Sequence, residues 1–313
     1  MASEKKVLIL GGYGRTGLQV ARLLLHESRH RIGIAGRDPL KATRTAMGLN
    51  WEHAGERVTG VEINVGYRKK LKALLKNYDL VIVSIPHTAF GEQIVQTAYE
   101  AGIDYIDISG NGEMRKPTLK LDKLVREAGL TFITQAGFVP GVETVMERYL
   151  AGHFDSVDKM TIGGPFIPGV SRFLDVLVKL WEALGLSGLR WGADLGARLR
   201  ARHSRKFMEP FRTTSVKAAA SGAFAGVSGE LSLTLKHQDP CLATAVTALP
   251  CILGLLDGSI KNPGVHVMGH VLDPDCYLGN LWDMGMKVSL QGLSDLKQEK
   301  MQPETIDLME QVA

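Results

Sequence analysis

Gly12, Gly14 and Gly17, spaced Gly-x-Gly-x-x-Gly, form the pattern in this sequence with the most definite chemical meaning. They follow the apolar run Val7-Leu8-Ile9-Leu10 and precede Leu18, Val20, Ala21, Leu23, Leu24 and Leu25, so they stand between a predicted strand and a predicted helix. In that setting Gly12 permits the tight turn, Gly14 lets backbone approach a pyrophosphate, and Gly17 lets helix pack on strand. The helix N-terminus adds free N–H groups and a partial positive charge for the phosphates. Tyr13, Arg15 and Thr16 share the loop and belong to the same dinucleotide site.

Arg37 specifies which dinucleotide. With Gly36 it follows the next predicted strand, Arg31–Ala35, and lies twenty positions beyond Gly17, where an NAD site usually carries Asp or Glu for the ribose hydroxyls. A guanidinium there clamps a 2′-phosphate with paired donors and stacks beside adenine. Asp38, just before Pro39, reads instead as a helix N-cap. The expected cofactor is therefore NADP(H), and the chemistry is hydride transfer to or from a carbon of C=N, C=O or C=C character. Such a step needs a proton donor or acceptor. His87 is the first candidate, Asp107 suits orientation of a ribose or polarisation of a catalytic water, and His266 is a more distant candidate. Glu143 suits substrate ammonium binding or simple support of a helix N-terminus.

The elements that must hold these residues alternate strand and helix, which predicts a Rossmann-type doubly wound parallel α/β sheet. Beyond Arg37 the expected order is helix 39–47, strand 58–65, helix 71–76, strand 79–86, helix 91–101, strand 103–110, helix 118–128, strand 130–135 and helix 143–150. Strand carboxyl ends line the ligand crevice in such sheets. Asn64 and Val65 are thereby expected near the adenine. Ser84, Ile85, Pro86 and His87 should lie near ribose and nicotinamide, with Ser109, Gly137 and Phe138 along the same edge. The expected domains are a dinucleotide-binding domain over 1–140 and a second α+β substrate and dimerisation domain over 141–293, with part of 240–290 packing back on the first. A tail follows over 294–313.

The second domain has its own patterns. Residues 158–163 read as a strand, 171–184 as an amphipathic helix, and 192–207 as a basic segment. Alternating Leu231, Leu233 and Leu235 predict a half-buried strand, and 242–256 a buried helix kinked by Pro250.

Composition sets outer bounds. In 313 residues, 45% hydrophobic and 22% charged fractions are those of a globular enzyme, and a net charge of +4 makes no case for nucleic acid. Cys241, Cys251 and Cys276 have neither zinc spacing nor disulfide density, so no metal is expected and a reducing cytoplasm fits. No uninterrupted apolar stretch reaches the length of a membrane span. Met1–Lys6 is polar and leads straight into the first strand, so no signal peptide is expected.

Gly12-Tyr13-Gly14-Arg15-Thr16-Gly17, Ser84-Ile85-Pro86, Asp107-Ile108-Ser109-Gly110 and Ala136-Gly137-Phe138-Val139-Pro140-Gly141 together resemble the saccharopine dehydrogenase / saccharopine reductase-like family. The resemblance resumes at Asp239-Pro240, Pro263-Gly264-Val265-His266 and Leu272-Asp273-Pro274-Asp275; it covers 5–150 well and 226–290 fairly well, while 165–225 departs from it. It implies reductive condensation of an amine with a carbonyl compound, or the reverse, on a small-molecule substrate. It also implies an open second sheet that covers the active site, and a homodimer. Trans-acting enoyl reductases resemble the same family, so C=C reduction on a hydrophobic substrate is an alternative. A non-catalytic NADP(H)-binding interaction protein is another. The departing middle, where Arg172, Arg190 and Arg212 are available to bind a carboxylate, leaves the substrate unspecified.

Overall fold

A computed structural model describes residues 4–85, 90–108, 114–163, 213–224 and 226–292. In chain order it runs β1 (Lys6–Leu10), α1 (Arg15–Glu27), β2 (Arg31–Gly36), α2 (Pro39–Glu52), β3 (Val58–Glu62), α3 (Arg68–Leu75), β4 (Leu80–Val83), α4 (Gly91–Ala101), β5 (Asp104–Asp107), α5 (Arg115–Leu119), α6 (Asp122–Glu127), β6 (Thr131–Ile133) and α7 (Val142–Ala151). It continues with β7 (Ser156–Gly163), β8 (Thr214–Phe224), β9 (Val227–His237), α8 (Pro240–Asp257), β10 (Gly264–His266), α9 (Met268–Val271), α10 (Pro274–Asp283) and β11 (Lys287–Gln291). The expected helix over 171–184, the basic segment 192–207 and the tail 294–313 lie outside the described residues.

Seven strands make a parallel sheet in the order β10-β6-β5-β4-β1-β2-β3. Its central strands carry unbroken apolar runs, Val7–Leu10 and Leu80–Val83, because helices cover both faces. From β1 the chain moves outward to β2 and β3, then returns to the far side of β1 with β4. The order therefore reverses between β1 and β4, which opens a crevice at their carboxyl ends. The late strand β10 extends the same sheet beyond β6, its residues Gly264 to His266 registering with Thr131 to Ile133.

Four strands form a second, antiparallel sheet in the order β11-β9-β8-β7. The expected alternation of Leu231, Leu233 and Leu235 is present, and all three are buried. Register sets Val216 beside Leu235, Ala218 beside Leu233 and Ala220 beside Leu231, so small residues of β8 face large ones of β9. This face joins one core cluster with Val145 and Met146 of α7 and with Leu249 and Ile252 of α8. Helix α8 also lies along α1, whose Val20, Ala21 and Leu24 share that cluster. The helix that follows the glycine loop is thus held between its own sheet and a helix from far along the chain.

Several expected bounds shift, for identifiable reasons. Helix α2 runs past Met47 to Glu52, because Leu49 is buried and Asn50 bonds both N–H and C=O of Val58 at 2.9 Å. The expected helix 118–128 is two short helices, interrupted where Leu121 N–H turns back to Thr118 C=O. The strands stop earlier than expected, leaving Asn64, Val65, Ser84 and Ile85 in loops past strand ends. Helix α8 is one eighteen-residue element through Pro250, capped by the Asp239 side chain. It is long and apolar enough to cross a membrane, yet most of it is buried against α1 and the second sheet.

Candidate functional site

The chain leaves β1 at Gly11, whose φ of +82° is a left-handed conformation that suits glycine. Sequence reasoning assigns the tight turn to Gly12; the backbone assigns it to Gly11. Gly11 N–H donates to Ala35 C=O (2.8 Å), Gly12 N–H to Ile9 C=O (3.1 Å) and Gly14 N–H to Gly11 C=O (2.8 Å). A Cβ on Gly17 would lie 2.5 Å from Gly11 O, so α1 rests directly on the loop as its spacing predicts. Gly14 is the helix N-cap and supplies no side-chain acceptor, and the first turn holds no acid. The N–H groups of Arg15, Thr16 and Gly17 therefore open α1 without an intrahelical or side-chain acceptor, beside the Arg15 cation. That is the donor set a pyrophosphate needs.

Tyr13 ties this loop to β2. Its ring covers Gly36, where any Cβ would strike it, and its hydroxyl accepts from Asp38 N–H at 3.2 Å. Arg37, between these anchors, is exposed at the crevice rim. Asp38 caps α2 as expected, accepting from Lys41 N–H at 3.0 Å. Lys41 is a residue that sequence reasoning misses: its ammonium stands 5.0 Å from the centre of the Tyr13 ring, and like Arg37 it is exposed. Its position four residues after Arg37, on the first turn of a helix, is the available signal.

Across the switch point, Ser84 N–H donates to Leu10 C=O at 2.9 Å, and Ser84 C=O faces Gly11. Ile85 is half-buried beside it. Asn64 heads a turn, its Oδ1 accepting from Gly66 N–H at 3.0 Å, and the Val65 carbonyl accepts from the Gln93 amide. Pro86, His87 and Ser109 lie outside the described residues.

The remaining candidates sit toward β5 and β6. Asp107 is 0% exposed and accepts from Thr134 Oγ1 at 2.6 Å, so its carboxylate ties β5 to β6. The loop from Gln135 to Gly141 is tightly folded. Gln135 has φ +56°, and Gly141 has φ +146° with no room for a side chain against the backbone of Gln135 and Gly137. Gly137 lies beside Ile108 C=O and Thr244, whereas the Phe138 side chain is 4% exposed and packs in the core. Glu143 reaches back to its own helix start, Oε2 accepting from Gly141 N–H at 2.7 Å. Burial, with Glu147 as a smaller cause, holds its pKa above the usual carboxylate range.

At the carboxyl ends of β6 and β10 lies a cavity of about 360 Å³, lined among others by Arg115, Gln135, Thr144, Glu147, Arg148 and His270. Arg148 is committed to the carbonyls of Gly269 and Leu272, the latter at 2.9 Å, while Arg115 is exposed. His266 bonds Asn262 C=O at 2.9 Å and meets His270 edge-on. Neighbouring strands lie roughly 5 Å apart, so β6 is about 10 Å from β4 along this edge. No group of His, Cys, Asp and Glu suited to a metal occurs among the described residues.

Residues 7–133 match the family described as the saccharopine dehydrogenase NADP binding domain. Among solved structures, the fold is similar to apo saccharopine dehydrogenase (L-Glu forming) from Saccharomyces cerevisiae. The TM-score is 0.61 at 15% identity, over 92% of this chain and 99% of that one. It is also similar to C. glutamicum DAP dehydrogenase in complex with DAP (TM-score 0.56, 14% identity, 91% and 100% coverage). A third is an engineered D-amino acid dehydrogenase bound to NADP+ (TM-score 0.55, 14% identity, 88% and 99% coverage). At these identities the structural likeness is one of fold.

Proposed function

We propose, for a chain whose residues 7–133 belong to the saccharopine dehydrogenase NADP-binding-domain family, an oxidoreductase that interconverts an imine and a secondary amine. NADP(H) is its cofactor. The observation that carries the reading is the Gly11–Gly17 cradle at the β1–β4 switch point, with Tyr13, Arg37 and Lys41 on its rim. The amides of Arg15, Thr16 and Gly17 would take the pyrophosphate, and Arg37 and Lys41 the 2′-phosphate. Ser84 and Ile85, past the end of β4, would flank the ribose and nicotinamide end.

When bound, the nicotinamide supplies or accepts the hydride. In the reductive direction the imine carbon gains that hydride, the nitrogen gains a proton, and a secondary amine leaves with NADP+. The protein's part is to orient the two reactants and carry the proton. We assign the proton to His87, two residues past Ile85, because imidazole titrates near neutral pH. To Glu143, whose buried carboxyl keeps its proton to higher pH than an ordinary carboxylate, we assign the holding of a substrate ammonium or a share of that role. The cavity toward β6 and β10 offers the substrate a seat along the same carboxyl edge, with the Arg115 guanidinium at its wall.

The test is loss of NADPH absorbance with a panel of amine and carbonyl pairs, and mass detection of the new C–N bond. Turnover only with activated alkenes would replace the reading with C=C reduction. Cofactor binding without turnover on either panel would leave a nucleotide-binding protein without this chemistry.

A further inference from the structure

Gln135 holds a backbone conformation that its residue type disfavours. Its φ is +56°; among the described residues the other positive-φ positions belong to nine glycines and to Ala54, in the turn after α2. Asn and Asp tolerate this region because their short side chains bond the local backbone, and glutamine lacks that advantage. The surroundings hold Gln135 there. Thr134 N–H donates to His266 C=O of β10 at 2.9 Å, and Ala136 N–H donates to Asp107 C=O of β5 at 2.8 Å. Gly141 lies directly against the Gln135 carbonyl. Glycine would meet all these backbone demands without strain. The backbone thus gives no reason for a glutamine at this position, and the reason must lie in its side chain.

Gln135 is half-buried in the wall of the cavity of about 360 Å³ at the carboxyl ends of β6 and β10. Its carboxamide makes no hydrogen bond among the described residues. Other polar groups of the wall are occupied. Arg148 serves the carbonyls of Gly269 and Leu272, and Thr144 Oγ1 donates to Gly141 C=O at 2.8 Å and accepts from Gly269 N–H at 2.9 Å. Glu147 is half-buried and forms no ion pair among the described residues, and Val267 is the one apolar lining residue. A half-buried amide with donor and acceptor both open is costly unless a ligand completes it. A hydrocarbon would leave it unpaired, whereas a hydroxyl, amide, carboxylate or ammonium would pair it.

We propose that Gln135 is a specificity-determining residue, whose carboxamide hydrogen-bonds the end of the substrate remote from the reacting carbon and so selects substrates that are polar at that end. The distance suits this, because β6 lies about 10 Å from β4, where the nicotinamide end of the cofactor belongs. A site built to hydrogen-bond a group rejects analogues without it far more strongly than an apolar pocket rejects an altered hydrocarbon. The inference rests on the oxidoreductase reading above and names the class of substrate that this reading leaves open.

Gln135→Gly tests this, because it removes the side chain and suits the backbone. Wild type and variant are compared by urea unfolding, NADPH titration and steady-state kinetics. The kinetics use two series of equal chain length, carbonyl compounds with an amine and activated alkenes, each ending in carboxamide, carboxylate or methyl. The wild type should favour its best polar-ended compound over the methyl-ended one by about 100-fold or more in kcat/KM. In the variant that preference should fall at least roughly tenfold, through KM with kcat little changed. Its urea midpoint should not be lower, and NADPH should bind as in wild type. A preference unchanged by the variant, a wild type that favours the methyl end, or a variant less stable than wild type would overturn the proposal alone. Turnover confined to the alkenes would overturn the imine reading, while the preference of end still decides the role of Gln135. Absence of turnover in both series would overturn the two together.

Discussion

Gly11 and Ser84 meet without space for a side chain: a Cβ built on Gly11 lies 2.7 Å from the Ser84 carbonyl oxygen. This contact sets how closely the chain leaving β1 approaches the end of β4, beside the crevice at the switch point. Gly11→Ala would add a left-handed strain at φ +82° to a backbone collision. Denaturant unfolding should show a loss of roughly 2 kcal/mol or more, and NADPH affinity should fall with it. Unchanged stability and affinity would mean that the loop does not need this approach.

Lys41, at the start of α2, stands over the Tyr13 ring, and Arg37 directly follows the last residue of β2. A charge-assisted bond to phosphate contributes about 1.5–3 kcal/mol. Arg37→Ala should therefore weaken NADPH roughly 10- to 100-fold and leave NADH nearly unaffected; Lys41→Ala should act in the same sense and less strongly. Calorimetric titration of both cofactors against each variant measures this, and equal losses for the two cofactors would remove the 2′-phosphate assignment.

Glu143 carries a pH dependence whose sign follows from burial. Its folded carboxyl holds a proton to higher pH than the unfolded one, so the folded state binds more protons in that window. Its contribution to stability is fully present below the unfolded pKa and is lost as pH rises through the raised folded pKa. Glu143→Gln keeps an acceptor for Gly141 N–H and cannot ionise. The variant should gain stability relative to wild type between about pH 4 and pH 8, read from urea unfolding at both ends of the range. A constant difference across that range would mean that Glu143 titrates as an exposed carboxylate does. Should turnover also collapse in this variant, the proton or ammonium role proposed above belongs to Glu143.

Phe138, expected at the cofactor, is packed instead in the core. Phe138→Ala should cost about 3–5 kcal/mol in unfolding free energy, as a large cavity does. The residual folded protein should keep its NADPH affinity, because the ring faces the core rather than the crevice. A pure loss of cofactor affinity at full stability would place the ring at the nicotinamide.

The nucleotide half is readable because its signals are local. Val7–Leu10, the glycine spacing and Asp38-Pro39 each act within one turn or strand, and the structure repeats their sense: strand, loop, helix, cap. Gly11 escapes because the motif does not reveal which glycine takes positive φ; that depends on Ser84, more than seventy residues away. Lys41 and the bonding of Asp107 to Thr134 are equally hidden, since each requires two elements to be brought together. The length of α2 is underestimated for the same reason: Asn50 is held by Val58, a partner with no trace in helical periodicity. In the second domain, the Leu231–Leu235 alternation locates a strand. The residues facing it, Val216 to Ala220, are mostly alanine and carry a weak pattern by themselves.

The most direct measurement is paired titration of NADPH and NADH against the wild-type protein. The account predicts that NADPH binds at least roughly tenfold more tightly than NADH, the difference arising from Arg37 and Lys41 at the 2′-phosphate. Equal affinities, or no binding of either, would contradict it.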